Sequence, residues 1–142
     1  MTENRFELQV ENNIDQLPVI GDFVADSLSH FGADPATVSR VQLVIDEAAT
    51  NVISYAYPDR KGLVKLVLEL HDGDLIITLI DWGVPFDPNT IPPPDLNADV
   101  DNRKIGGLGI YFMKKLMDEV AYCFDPVDGN HLVMKKHLSK PQ

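Results

Sequence analysis

A chain of 142 residues can bury one hydrophobic core without cross-links, and nothing in its length requires a second domain. Twelve Lys plus Arg against 22 Asp plus Glu give a net charge of -10, which disfavours nonspecific attraction to nucleic acid or an anionic membrane and leaves protein or small-molecule partners. A single cysteine, Cys123, excludes an internal disulfide; the opening MTENRFELQV lacks the layout of a signal peptide and no apolar run could span a bilayer, so a cytoplasmic setting is expected. In chain order, RFELQV alternates Phe6, Leu8 and Val10 with polar neighbours and predicts a half-buried strand. A first helix is expected from about Ile14 to Phe31, with Leu17, Phe23, Val24, Leu28 and Phe31 as its apolar stripe, Pro18 in its first turns and Gly32 as its stop. Asp34 and Pro35 are a cap and a first helical residue, so a second helix should start there and end near Tyr57, ahead of Pro58. LVKLVLELHDGDLIITLID predicts two strands around an Asp72-Gly73 turn. After a Pro-rich patch between Pro85 and Lys104, GGLGIYFMKKLMDEV reads as a glycine turn entering a third helix, and AYCFDPVDGNHLVMKKHL as a closing hairpin. The order strand, helix, helix, two strands, helix, two strands implies an α+β two-layer sandwich: a mixed, largely antiparallel sheet with three helices on one face.

Three stretches carry residues that could do chemistry. On the second helix, Val41, Val44, Ile45, Ala48, Val52 and Ala56 form the core stripe, while Glu47, Asn51 and Tyr55 lie on one shoulder of it. The plainer reading of Glu47 and Asn51 is a surface pair sharing a side-chain hydrogen bond. In LIITLIDWGVPFDP an apolar strand ends in Asp81, and Gly83 opens a turn two residues later. A carboxylate at that position can accept a hydrogen bond from an amine and the glycine lets backbone approach a flat ring, although Asp and Gly are also ordinary turn residues. In KIGGLGIYFMKK, Gly106, Gly107 and Gly109 stand at the mouth of a helix, where free N–H groups bind anions. No P-loop or strand-linked GxGxxG accompanies them.

Taken together, DEAATN, DWGVPFDP and NRKIGGLGIYFMKKLMDEV resemble the N, G1 and G2 boxes of the GHKL (Bergerat) ATP-binding fold shared by gyrase, heat-shock chaperones, histidine kinases and MutL. Within that fold the chain looks like the RsbW-type anti-sigma-factor serine/threonine protein kinases, over almost its whole length. The resemblance implies one histidine-kinase-like ATPase domain over residues 1–142, with ATP and Mg²⁺ as cofactors and an ATP lid at about 88–105. By the same resemblance Asn51 coordinates Mg²⁺, Glu47 is the general base, Asp81 accepts the adenine amino group and Gly83 lies against the ring. Gly107, Leu108 and Gly109 border the phosphates, and Arg103 and Lys104 meet phosphate charge. Two positions depart from the family pattern: Pro85 replaces the second glycine of the G1 box, and Tyr55 replaces a histidine found in many relatives.

The implied activity is phosphorylation of a serine on a STAS-domain anti-anti-sigma protein, in a homodimer that also binds a sigma factor, without direct contact to nucleic acid or membrane. A non-catalytic ATP-binding module that regulates a partner without phosphoryl transfer is the alternative, and Glu47 argues against it because a pure binder has no use for a base. A gyrase-like or histidine-kinase machine is disfavoured because 142 residues leave no room for a transducer or phosphoacceptor helix. The four histidines, His30, His71, His131 and His137, are scattered without metal-ligand company.

Overall fold

The period-2 alternation of the first segment and the paired runs around Asp72-Gly73 decide the sheet. In the computed structural model, which describes residues 4–85 and 113–138, they form β1 (Arg5–Glu11), β2 (Leu63–His71) and β3 (Asp74–Asp81). The last hairpin supplies β4 (Glu119–Asp125) and β5 (Gly129–His137), and the five strands lie in the order β1-β2-β3-β5-β4. All four pairings are antiparallel, so the sheet is largely antiparallel as expected, with no parallel pair among the described residues. Asp72 and Gly73 both take left-handed backbone, at φ 52° and 84°. That is the turn whose twist matches a two-residue hairpin.

Register sorts the side chains into rows. Phe6, Leu68, Ile77, Met134 and Val120 share one row, and Leu8, Leu66, Leu79, Leu132 and Tyr122 the next. Two helices cover this face: α1 (Leu17–His30), entered through a short 3-10 turn at Ile14–Gln16, and α2 (Pro35–Tyr55). Ile20, Val24 and Leu28 of α1 and Val41, Val44, Ile45, Ala48 and Ala49 of α2 join the sheet rows in one apolar core. The stripe expected on α2 is the buried one, except that Val52 is only partly covered. Leu17, Phe23 and Phe31 of the first helix flank the core, while Ile20 sits inside it. Leu68, Ile77 and Met134 are fully shielded from solvent, and truncating Ile77 to Ala is expected to cost about 2–5 kcal/mol.

The helix ends follow local chemistry. Asp34 accepts a hydrogen bond from Thr37 N at 2.8 Å, which caps α2, and Pro35 occupies its first turn. α2 stops at Tyr55, two residues earlier than expected, although Ala56 keeps helical dihedrals and still bonds Val52 O. Residues 113–116 are helical, and Met113 and Met117 are buried in the core. The third helix was expected to reach Glu119 and Val120; those residues belong to β4 instead. Asp118 is the turning point, its N–H donating to Lys135 O at 2.9 Å and its carboxylate accepting from His137 N at 2.6 Å. From there Val120, a β-branched residue, pairs with Met134 in the sheet.

Candidate functional site

A third row of the sheet runs Val10, Val64, Asp81, Asn130 and Phe124. It faces the helices like the two apolar rows, yet its two central members are polar and buried, Asp81 at 6% exposure and Asn130 at 1%. Asp81 Oδ1 accepts two hydrogen bonds, from Gly83 N at 2.9 Å and from Asn130 Nδ2 at 2.9 Å. Its second carboxylate oxygen has no partner among the described residues. A buried carboxylate with one oxygen satisfied and one open is suited to receive a donor from a ligand.

The turn after β3 is tied to the end of α2. Val84 N donates to Ala56 O at 2.7 Å, and Trp82 N donates to the Tyr57 hydroxyl at 2.7 Å. That hydroxyl donates in turn to Leu63 O at 2.6 Å, so the buried Tyr57 links helix end, turn and β2. Gly83 sits so close to the helix that a Cβ would overlap the Ala56 carbonyl. Packing against α2 is therefore itself a reason for glycine at this position. A cleft of about 250 Å³ opens beside the turn, lined among others by Trp82, Gly83, Pro85, Phe124, Gly129 and Asn130.

This tie brings α2 to Asp81 in a fixed relation. Asn51 and Glu47 lie five and nine residues before Ala56, about 8 Å and 14 Å along the helix axis at 1.5 Å per residue. Both are half-buried. Neither has a hydrogen-bond or ion-pair partner among the described residues, so the plain surface pair considered from sequence does not form. Burial raises the Glu47 pKa, with the neighbouring Asp46 carboxylate adding to the effect. A half-buried carboxylate of raised pKa, unpaired among the described residues, is suited to accept a proton. Tyr55, at the last helical position, is 47% exposed.

The sequence-predicted residues thus divide. Asp81 and Gly83 form one joined unit with the end of the helix that carries Asn51 and Glu47. Arg103, Lys104, Gly107, Leu108 and Gly109, and the lid at about 88–105, lie outside the described residues. Sequence reasoning missed Tyr57 and Asn130. Tyr57 carried one signal, an aromatic hydroxyl in an apolar setting, which must find partners when buried. Asn130 carried another, an asparagine at the start of an apolar strand, where that residue type is depleted. Its meaning depends on register with Asp81, which one strand read alone does not reveal.

The residues present fit a nucleotide. An open acidic acceptor suits a base amine, and an amide unpaired among the described residues suits Mg²⁺, a hard cation that takes oxygen ligands and few of them from protein. No cluster of three or more His, Cys, Asp or Glu able to hold a metal occurs among the described residues. Such an ion would need phosphate oxygens to complete its shell.

Comparison with known proteins gives the same direction. The chain is 27% identical over 142 residues to a serine-protein kinase RsbW of Bacillus cereus, covering 97% of this chain and 88% of that one. It is 26% identical, with the same coverage, to the RsbW of Bacillus thuringiensis. A crystal structure of the RsbU and RsbW domains of a Mycobacterium tuberculosis protein superposes with a TM-score of 0.69 at 18% identity. That match covers 98% of this chain, which spans about a third (34%) of the longer one, and shows the shared fold. The model of the histidine kinase-like ATPase domain matches residues 10–136, from the end of β1 through nearly all of β5. With that match and the site geometry, the chain belongs to the histidine kinase-like ATPase domain family.

Proposed function

We propose that this protein is an ATP-dependent serine protein kinase and anti-sigma regulator, which phosphorylates a STAS-domain antagonist in a partner-switching system. The observation that carries the reading is Glu47: a half-buried carboxylate of raised pKa, unpaired among the described residues, one helical turn from Asn51, on a helix bonded to the turn that follows Asp81. A site that only held nucleotide would have no use for a proton acceptor there. The RsbW relatives, named as serine-protein kinases, support the same reading.

ATP, when bound, supplies the γ-phosphoryl group and leaves as ADP. The chain's own residues do the rest. Asp81 receives the adenine amino group on its open oxygen, and Gly83 leaves room for the ring. Asn51 gives an amide oxygen to Mg²⁺, and Arg103 and Lys104 with the Gly107, Leu108 and Gly109 turn meet the phosphates. Glu47 takes the proton from the partner's serine hydroxyl as its oxygen bonds the γ-phosphorus and the bond to the β-phosphate oxygen breaks. Phosphoryl transfer rests on such positioning and charge neutralisation, which one base and one metal can provide. In this reading the protein acts as a homodimer, holds a sigma factor in one state and phosphorylates its antagonist in the other, in the cytoplasm. No helix among the described residues is long and apolar enough to cross a membrane.

The test is incubation with labelled ATP and Mg²⁺ in a lysate of the source cell, then identification of the labelled protein. A small single-domain target carrying phosphoserine is expected. Nucleotide bound without label reaching any protein would favour the non-catalytic ATP-binding module.

A further inference from the structure

The two outer strands of the sheet meet solvent differently. β1, on one side, alternates Arg5, Glu7 and Glu11 with apolar residues, and Glu7 pairs with both Arg5 and Lys65. Charges placed in this way blunt an edge against further strand pairing. β4, on the other side, has β5 as its single strand partner among the described residues. Between Glu119 and Asp125 it runs Val120, Ala121, Tyr122, Cys123 and Phe124, without a charge, a proline or a glycine. Ala121 and Cys123 are exposed, and Phe124 is 52% exposed. An open, uncharged edge of this kind is a template for a strand from another chain.

We infer that β4 is a docking edge for an extended segment of a protein partner, one with an apolar centre and a basic residue at each end. Charge decides the occupant. A second copy pairing its own β4 antiparallel over the full length would centre on Tyr122 and set Glu119 of each chain opposite Asp125 of the other. Two acid pairs at the ends oppose that dimer, and sliding the register to avoid them shortens the ladder. A segment with Lys or Arg at both ends turns the same positions into attractions, and the net charge of -10 favours its approach. Glu119 is exposed and has no ion-pair partner among the described residues. Asp125 Oδ1 accepts from Asp128 N at 2.8 Å and Val127 N at 2.7 Å, bonds that lower its pKa and keep the carboxylate ionised. Glu119, Ala121, Cys123 and Asp125 share the helix-free face of the sheet, and Val120, Tyr122 and Phe124 the other. The docked segment should therefore carry two basic residues six positions apart, about 20 Å at roughly 3.4 Å per residue, with apolar residues at the three alternate positions between them. Phe124 shares a sheet row with Asp81 and lines the cleft beside the following turn, so such a segment extends that row by one strand.

The experiment adds the synthetic peptide Lys-Val-Thr-Val-Thr-Val-Lys, or the same core with Glu at both ends, to the whole chain at low salt, and follows backbone amide exchange by NMR. The Lys-ended peptide should slow exchange along β4, and the Glu-ended one should bind about threefold to tenfold more weakly. Glu119→Lys should weaken the Lys-ended peptide by a similar factor, and a peptide with Lys at one end and Glu at the other should recover the loss. No slowing of β4 amides at millimolar Lys-ended peptide, slowing confined to other elements, or equal binding of the two peptides to wild type would overturn the inference. Protection of β4 that rises with protein concentration alone would make a second copy the occupant and overturn it as well. These outcomes are independent of nucleotide binding, which the peptide experiment does not use.

Discussion

Glu47 and Asn51 have no side-chain partner among the described residues, on a helix whose neighbouring positions Ala48 and Ala49 are buried. Glu47→Gln keeps shape and removes the base, so ATP affinity should stay within about twofold while transfer falls by about 10²–10⁴. Labelled phosphate reaching the partner's serine at the wild-type rate would contradict the assignment. The raised pKa adds a pH signature. Because the base must be ionised, the acid limb of the rate should lie above the ordinary glutamate range. The sign for stability runs the other way: the folded state binds this proton more tightly than the unfolded chain. That contribution favours folding at acid pH and is lost as pH rises through the folded value. Glu47→Gln should therefore melt higher than wild type near neutral pH, with the gap closing on acidification. Asp81→Asn acts through geometry. Its oxygen would take the hydrogen bonds from Gly83 N and Asn130 Nδ2, so its amide would present a donor where the base amine is also a donor. ATP affinity should fall by about tenfold to a hundredfold, and calorimetry giving an unchanged value would refute the contact.

At the scale of elements, the site depends on how α2 ends. The helix is legible in sequence: Asp34 and Pro35 start it, its apolar spacing orients it, and Pro58 bounds it. Its connection to the turn after β3 is not, because Val84 N to Ala56 O and Trp82 N to the Tyr57 hydroxyl are contacts between segments 25 or more residues apart. Tyr57→Phe should remove a hydroxyl that serves two backbone groups, lowering stability by about 1–3 kcal/mol and ATP affinity with it. Gly83→Ala should force the turn off Ala56, with a loss of about 1–3 kcal/mol. A denaturant titration of each variant checks both values. The third helix shows the opposite limit of local reading. LMDEV continues a helical pattern, yet Asp118 hands the chain to the sheet through its bonds to Lys135 and His137, and only the tertiary partner decides the boundary.

At the scale of the whole sheet, two apolar rows on the helix-facing side lie beside one row interrupted by Asp81 and Asn130. Period-2 alternation made the apolar rows readable, whereas the polar row emerges only when β3 and β5, far apart in the chain, are set in register. A net charge of -10 suits a protein partner rather than nucleic acid. On the proposed reading, what distinguishes a kinase from a nucleotide-holding regulator on this scaffold is a single carboxylate, Glu47. The most direct test mixes the purified protein, Mg²⁺-ATP and the proposed STAS-domain partner, with Glu47→Gln run in parallel. Phosphoserine on the partner with wild type and none with the variant, at equal ATP occupancy, is the predicted result; no phosphoserine with saturated wild type, or equal amounts with both proteins, would contradict it.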